Sequence, residues 1–123
     1  MDCRHDDIKN YLVNMKKILN DTHSHLVIQN KKDKNYYFAF LYKVTKEDIR
    51  NILLSLTESD FMEKVRDRDE GFEDRFLYVW NPVRSFTAAN GETRDIELYI
   101  KTDVYDEKNL VVVISFHKIN DYS

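Results

Sequence analysis

Glycine and proline are nearly missing from this chain: two glycines and one proline in 123 residues. With only Gly71 and Gly91 available, neither a P-loop nor a dinucleotide-binding fingerprint can be written. So few turn formers also argue against a loop-dominated fold. Cys3 is the only cysteine, which excludes an intrachain disulfide and a cysteine-based zinc site and fits a reducing cytoplasm. No apolar run approaches the roughly 20 residues that span a bilayer, so no membrane contact is expected. The opening residues, Met-Asp-Cys-Arg-His-Asp-Asp, are too polar for a secretory signal. Neither His-x-x-x-His nor His-Glu-x-x-His occurs. His23 and His25 would share a face if they lay on a strand, but two ligands do not complete a metal site.

Hydrophobic residues make up 42% of the chain and charged residues 33%, the balance of a globular protein. The length predicts a single domain over 1–123, with 1–5 and 119–123 fraying. Eight Tyr, seven Phe and one Trp offer large side chains for a core. Net charge is −3 and unevenly spread. Residues 16–46 hold seven Lys against Asp21 and Asp33, an excess of +5, whereas nine basic residues face thirteen acidic ones from Phe61 onward. The first window suits a polyanion; the whole chain lacks the strong basicity of a general nucleic-acid binder.

Asp6 or Asp7 is placed to cap a first helix, along which Ile8, Tyr11, Leu12, Met15, Ile18 and Leu19 form one apolar stripe. Leu26-Val27-Ile28 predicts a short strand, followed by a polar turn at 30–33. Residues 34–42 are apolar on nearly all sides, and the brief linker to the next segment favours a short helix. Thr45 with Asp48 resembles a capping box, and Ile49, Ile52, Leu53 and Leu56 make a second stripe. Residues 61–71 mix both charge signs and predict an exposed loop. A strand is predicted over 72–80, ending at Asn81-Pro82, and another over 83–88. Asn90-Gly91 signals a tight turn, and two strands follow, joined by 105–109. Helices gathered before a meander predict an α+β fold: N-terminal helices on one face of a curved antiparallel sheet, with the other face partly open and polar.

Chemistry concentrates in the last two strands. In Ile96-Glu97-Leu98-Tyr99-Ile100-Lys101, alternation places Tyr99 and Lys101 on one face. The next strand, 110–117, is apolar until Ser115 and His117. A half-buried strand with a polar outer face produces such alternation without any site. As a set, however, Tyr99, Lys101 and His117, with Lys118 and Arg75 nearby, have the groups that metal-free phosphodiester cleavage needs: a base, an acid and cations. Asp67, Asp69, Glu70, Glu73 and Asp74 interleave with Lys64, Arg66, Arg68 and Arg75, the pattern of a solvated, salt-bridged loop more than of a metal-dependent hydrolase.

Several pieces, in order, resemble the MqsR-type toxins, RelE-superfamily mRNA interferases of bacterial type II toxin–antitoxin modules. They are Lys34-Asn35; Asp48 with Ile52 and Leu56; Leu56-Thr57-Glu58-Ser59-Asp60-Phe61; Trp80 ending a strand; Leu98-Tyr99-Ile100-Lys101; and Val112-Val113-Ile114-Ser115-Phe116-His117. The resemblance implies a RelE-like fold, cleavage of mRNA without metal or other cofactor through a 2′,3′-cyclic phosphate, and a cognate antitoxin bearing a helix-turn-helix. It implies catalytic roles for His117, Tyr99 and Lys101, and substrate-binding roles for Lys64, Lys118 and Lys34; Arg75, which alternation puts on the strand face of Leu77, is read as a further substrate-binding cation. Two positions depart from it: Glu63 stands where a lysine is expected, with Lys64 one residue on, and Leu77 stands where the best-known members carry glutamine. A non-catalytic protein-interaction module on the same scaffold is the alternative.

Overall fold

The computed structural model describes residues 5–29, 33–66 and 75–119, the side chains of 33–37 excepted. Helix α1 (His5–Leu19) leads into strand β1 (His25–Ile28), then α2 (Asp33–Tyr42) and α3 (Lys46–Ser55). Five strands follow: β2 (Phe61–Arg66), β3 (Phe76–Trp80), β4 (Val83–Thr87), β5 (Thr93–Tyr105) and β6 (Leu110–Lys118). The sheet runs β1-β6-β5-β3-β2, and β4 pairs with the first half of β5. The fold is α+β with a mixed, open sheet.

The expected all-antiparallel sheet is corrected by β1, which joins β6 in parallel. A hairpin would force antiparallel pairing, but β1 and β6 stand far apart in the chain, so no short loop sets their relative direction. Packing sets it instead: Leu26 lies opposite Val111 and Ile28 opposite Val113, on the face that meets the helices.

The expected loop at 61–71 is also corrected. Phe61–Arg66 is an edge strand paired with β3, and residues 67–71 lie outside the described set. Mixed charge suits an edge strand, where it discourages pairing with other chains. The alternation was hidden by a β-bulge: Phe61 sits opposite Trp80 and Glu63 opposite Val79, so Met62 is the extra residue. β3 begins at Phe76; residues 72–74 of the longer expected strand, the turn at 30–32 and the carboxylates from Asp67 to Asp74 lie outside the described residues. So do residues 1–4 and 120–123 of the expected frayed ends, whereas His5 opens α1.

The helices form where the stripes put them, but α1 begins at His5, so Asp6 and Asp7 lie inside its first turn, where their charge suits the helix dipole, and do not cap it. Thr45 Oγ1 accepts from the Asp48 N–H at 3.1 Å and Asp48 Oδ2 accepts from the Thr45 N–H at 2.8 Å, closing the capping box of α3. From α1, Leu12, Met15, Ile18 and Leu19 are buried; from α3, Ile49 and Leu53. α2 carries Phe38 inward, its ring 5.9 Å from Phe116 and 5.3 Å from Phe86, while Phe40 is 75% exposed. Trp80, Ile100, Leu98, Val111 and Val113 complete this core from the sheet. At the expected tight turn, Gly91 has φ +89° and donates its N–H to the Ala88 carbonyl, a backbone shape that favours glycine.

One polar network is set into the core. The Tyr11 ring stacks on Tyr78 at 3.8 Å, and its hydroxyl lies 2.8 Å from Thr102 Oγ1. Trp80 Nε1–H donates to the same Thr102 oxygen at 3.1 Å. Part of Tyr11 reaches the surface, yet its hydroxyl is enclosed, and that burial pushes the phenol well above its ordinary range. The unfolded chain ionises this tyrosine near its reference value of 10.0, whereas the folded chain holds it neutral. Stability contributed by the neutral phenol is complete below that pH and falls as pH rises above it, by about 1.4 kcal/mol per pH unit for one such group. Urea melts between pH 9 and 11.5 are expected to show a steeper loss for the wild type than for Tyr11→Phe. Parallel curves would show that the hydroxyl is not enclosed.

Candidate functional site

The sheet has two faces, and register assigns each residue to one of them. Tyr78, Trp80, Ile100, Thr102, Val111, Val113 and Phe116 face the helices. On the second face, β5 presents Tyr99, Lys101 and Asp103, and β6 presents Val112, Ser115 and His117; Leu77 and Val79 of β3 join them. Simple alternation from Val113 would have turned His117 toward the helices. It does not, because Thr102 pairs with Val113 and Lys101 with Ser115, so Ile114 is the extra residue of a second bulge. That bulge brings His117 opposite Tyr99 and onto the face of Lys101.

Three sequence-predicted residues therefore meet. The Tyr99 and His117 rings stack at 5.3 Å with an interplanar angle of 19°, and Lys101 Nζ lies 5.8 Å from the Tyr99 ring centroid. His117 Nδ1 is 2.8 Å from the carbonyl oxygen of Lys118. A carbonyl only accepts, so Nδ1 donates there; in a neutral imidazole that tautomer places the lone pair on Nε2, as a general base requires. Both rings are enclosed: His117 is 1% exposed and Tyr99 7%, with Ser115, Val79 and Leu77 buried on the same face and Lys101 partly exposed. The expected partly open, polar second face is found at Glu63, Glu97 and Lys101, but around Tyr99 and His117 it is corrected by this burial.

The remaining predicted residues do not join the triad. Lys64 pairs across from Tyr78 and so faces the helix side, its Nζ 4.7 Å from the Phe76 ring; the Met62 bulge puts Glu63, not Lys64, on the face of Lys101. Lys118 pairs across from Leu98, also on the helix side, where it lines a shallow groove with Tyr42, Arg94 and Ile96. Arg75 is engaged elsewhere: Nε and Nη2 donate to the two oxygens of Asp103 at 2.8 and 2.7 Å, and Nη2 also donates to the Val104 carbonyl at 2.9 Å. Those bonds to Asp103 hold the guanidinium charged even more firmly than usual, and the group lies 3.9 Å from the Tyr105 ring. Lys34 lies on α2 with its side chain outside the described residues. His23 and His25 are both exposed, His23 in a turn and His25 opening β1, so they do not share a strand face.

Two residues near the triad were missed by sequence reasoning. Ser115 is fully buried opposite Lys101. Asp103 is a buried carboxylate on β5, a strand of mixed polarity in which nothing local marks it as buried, and a buried charge needs a partner. No protein-family model matches the chain, and no curated protein matches it either.

Proposed function

We propose that this chain is an endoribonuclease toxin of a type II toxin–antitoxin module, cleaving mRNA in the cytoplasm without a metal. The observation that carries the reading is the meeting of Tyr99, Lys101 and His117 on one sheet face. His117 Nε2 takes the proton of the ribose 2′-hydroxyl as that oxygen attacks phosphorus. The bond to the 5′-oxygen breaks, and the leaving oxygen takes a proton from solvent water. Tyr99 hydrogen-bonds at the scissile phosphate, and Lys101 offsets the charge gathering on the phosphorane. The products are a 2′,3′-cyclic phosphate and a 5′-hydroxyl. The α+β class supports the reading at the level of fold class, and the reading assigns the chain an antitoxin partner that silences the enzyme.

Enclosure of the two rings means that substrate entry requires the second face to open locally. A specific observation also favours the second reading, a non-catalytic partner-binding module: Glu63 and Glu97 share the face of Lys101, whereas Lys64 and Lys118 turn away from it. One experiment separates the two. Purified wild type is incubated with single-stranded RNA in excess chelator, and the ends of any fragments are mapped. Fragments ending in a 2′,3′-cyclic phosphate, together with growth arrest on expression, are expected. Intact RNA and normal growth would leave the interaction module as the reading.

A further inference from the structure

The helix-side face of the edge ribbon β2–β3 holds a group that the triad does not use. Lys64 Nζ lies 4.7 Å from the Phe76 ring centroid and 5.6 Å from that of Tyr78, and the Arg66 guanidinium lies 5.3 Å from Phe76. Arg66 is exposed, and Lys64 and Phe76 are partly so. Among the described residues, neither cation has a carboxylate within ion-pairing distance. In a chain of net charge −3, two such cations on one accessible ring stand out from the mixed-sign pairs of an ordinary surface.

We propose that Lys64, Arg66 and Phe76 form a binding strip for single-stranded RNA. The inference rests on the nuclease reading and adds where the substrate backbone is held. Single-stranded nucleic acid is bound by cations that track phosphates and by aromatic rings on which bases stack. Both side chains are long enough to swing off the ring and meet the phosphates flanking a stacked base. The strip also supplies the local positive charge that RNA affinity demands and that the second face, with Glu63 and Glu97, lacks. An acidic peptide would engage the cations but leave the ring without a role.

The test is fluorescence anisotropy with the full wild-type chain and a 2′-O-methyl oligouridine, which has no 2′-hydroxyl to attack and so reports binding without cleavage. Lys64→Gln with Arg66→Gln is expected to weaken binding about tenfold at low salt and to flatten the log–log salt dependence by about 1.4, some 0.7 for each phosphate contact on a single strand. Phe76→Leu is expected to weaken binding at least about fivefold with the salt slope unchanged. Thermal melts of each variant establish that it is folded. A double variant within twofold of wild type in affinity and slope overturns the strip. So does a Phe76→Leu variant that binds like wild type, since the surface would then be a simple polyanion patch, or tighter binding of polyglutamate than of the oligonucleotide. Cleavage of unmodified RNA is scored separately: strip binding without cleavage sinks the nuclease reading and leaves the strip standing.

Discussion

Arg75→Ala is expected to destabilise the protein by roughly 3 kcal/mol, lowering the melting temperature by on the order of 10 °C. The loss arises at Asp103. Its side chain is 4% exposed and receives both donors of one guanidinium fork, so removing Arg75 strands a carboxylate that water cannot reach. Stranding a buried charge costs about 3–5 kcal/mol. The lower end applies because the Arg75 side chain is itself 29% exposed and its charge is partly screened. Set against a typical domain stability of about 5–15 kcal/mol, that is a large fraction. Urea melts of Arg75→Ala, Asp103→Asn and the double variant complete a cycle. The double variant is expected to recover much of the loss, because the uncompensated charge is gone. If Arg75→Ala alone loses less than about 1 kcal/mol, Asp103 is hydrated and the pair is not the buried anchor described above.

The larger effect on activity is expected at His117. His117→Asn keeps a donor near the Lys118 carbonyl but removes the basic nitrogen. A positioned general acid or base contributes about 10²–10⁴-fold, and cleavage is expected to fall within that range while the melting curve changes little. Lys101→Gln is expected to lose about 10²-fold, the cost of removing one group that stabilises transition-state charge. His117→Asn with Lys101→Gln should lose less than the product of the two, since groups acting on one transition state are not additive. Wild-type cleavage by His117→Asn would remove the imidazole from the mechanism whatever its position. A collapse in stability alongside lost activity would point to packing, and Tyr99→Phe, which keeps the ring stacked on His117 and deletes only the hydroxyl, then tests the site without disturbing that packing.

Most of the helical half was legible because its signals are local. The α1 and α3 stripes and the Thr45–Asp48 box each lie within a few turns of one helix, where periodicity and capping chemistry act directly. The gathering of Tyr99 and Lys101 was equally legible from alternation within one strand. What was not legible depends on partners far away in the chain. Parallel addition of β1 rests on packing of Leu26 and Ile28 beside Val111 and Val113. The two bulges have no composition signal here: neither Met62 nor Ile114 is a glycine, and each shifts parity by one residue. One bulge delivers His117 to the triad and the other delivers Glu63 in place of Lys64. Arg75 reads as a free phosphate ligand until Asp103, 28 positions on, is found in its fork.

The strand order has a consequence in time. The sheet is assembled around β5 and β6, which follow the other described strands in the chain, whereas β1, made before them, finds its only described strand partner in β6. Tyr11 likewise waits for Thr102, and Asn14 for Asp106. Contacts between such distant segments close late and slow folding. Residues 5–28 therefore emerge with their apolar stripe and strand edge uncovered, exposed to association with other chains until β5 and β6 follow. Residues 99–117 close the sheet and bring Tyr99, Lys101 and His117 together in one step, so a product truncated before them has neither the closed sheet nor the cluster.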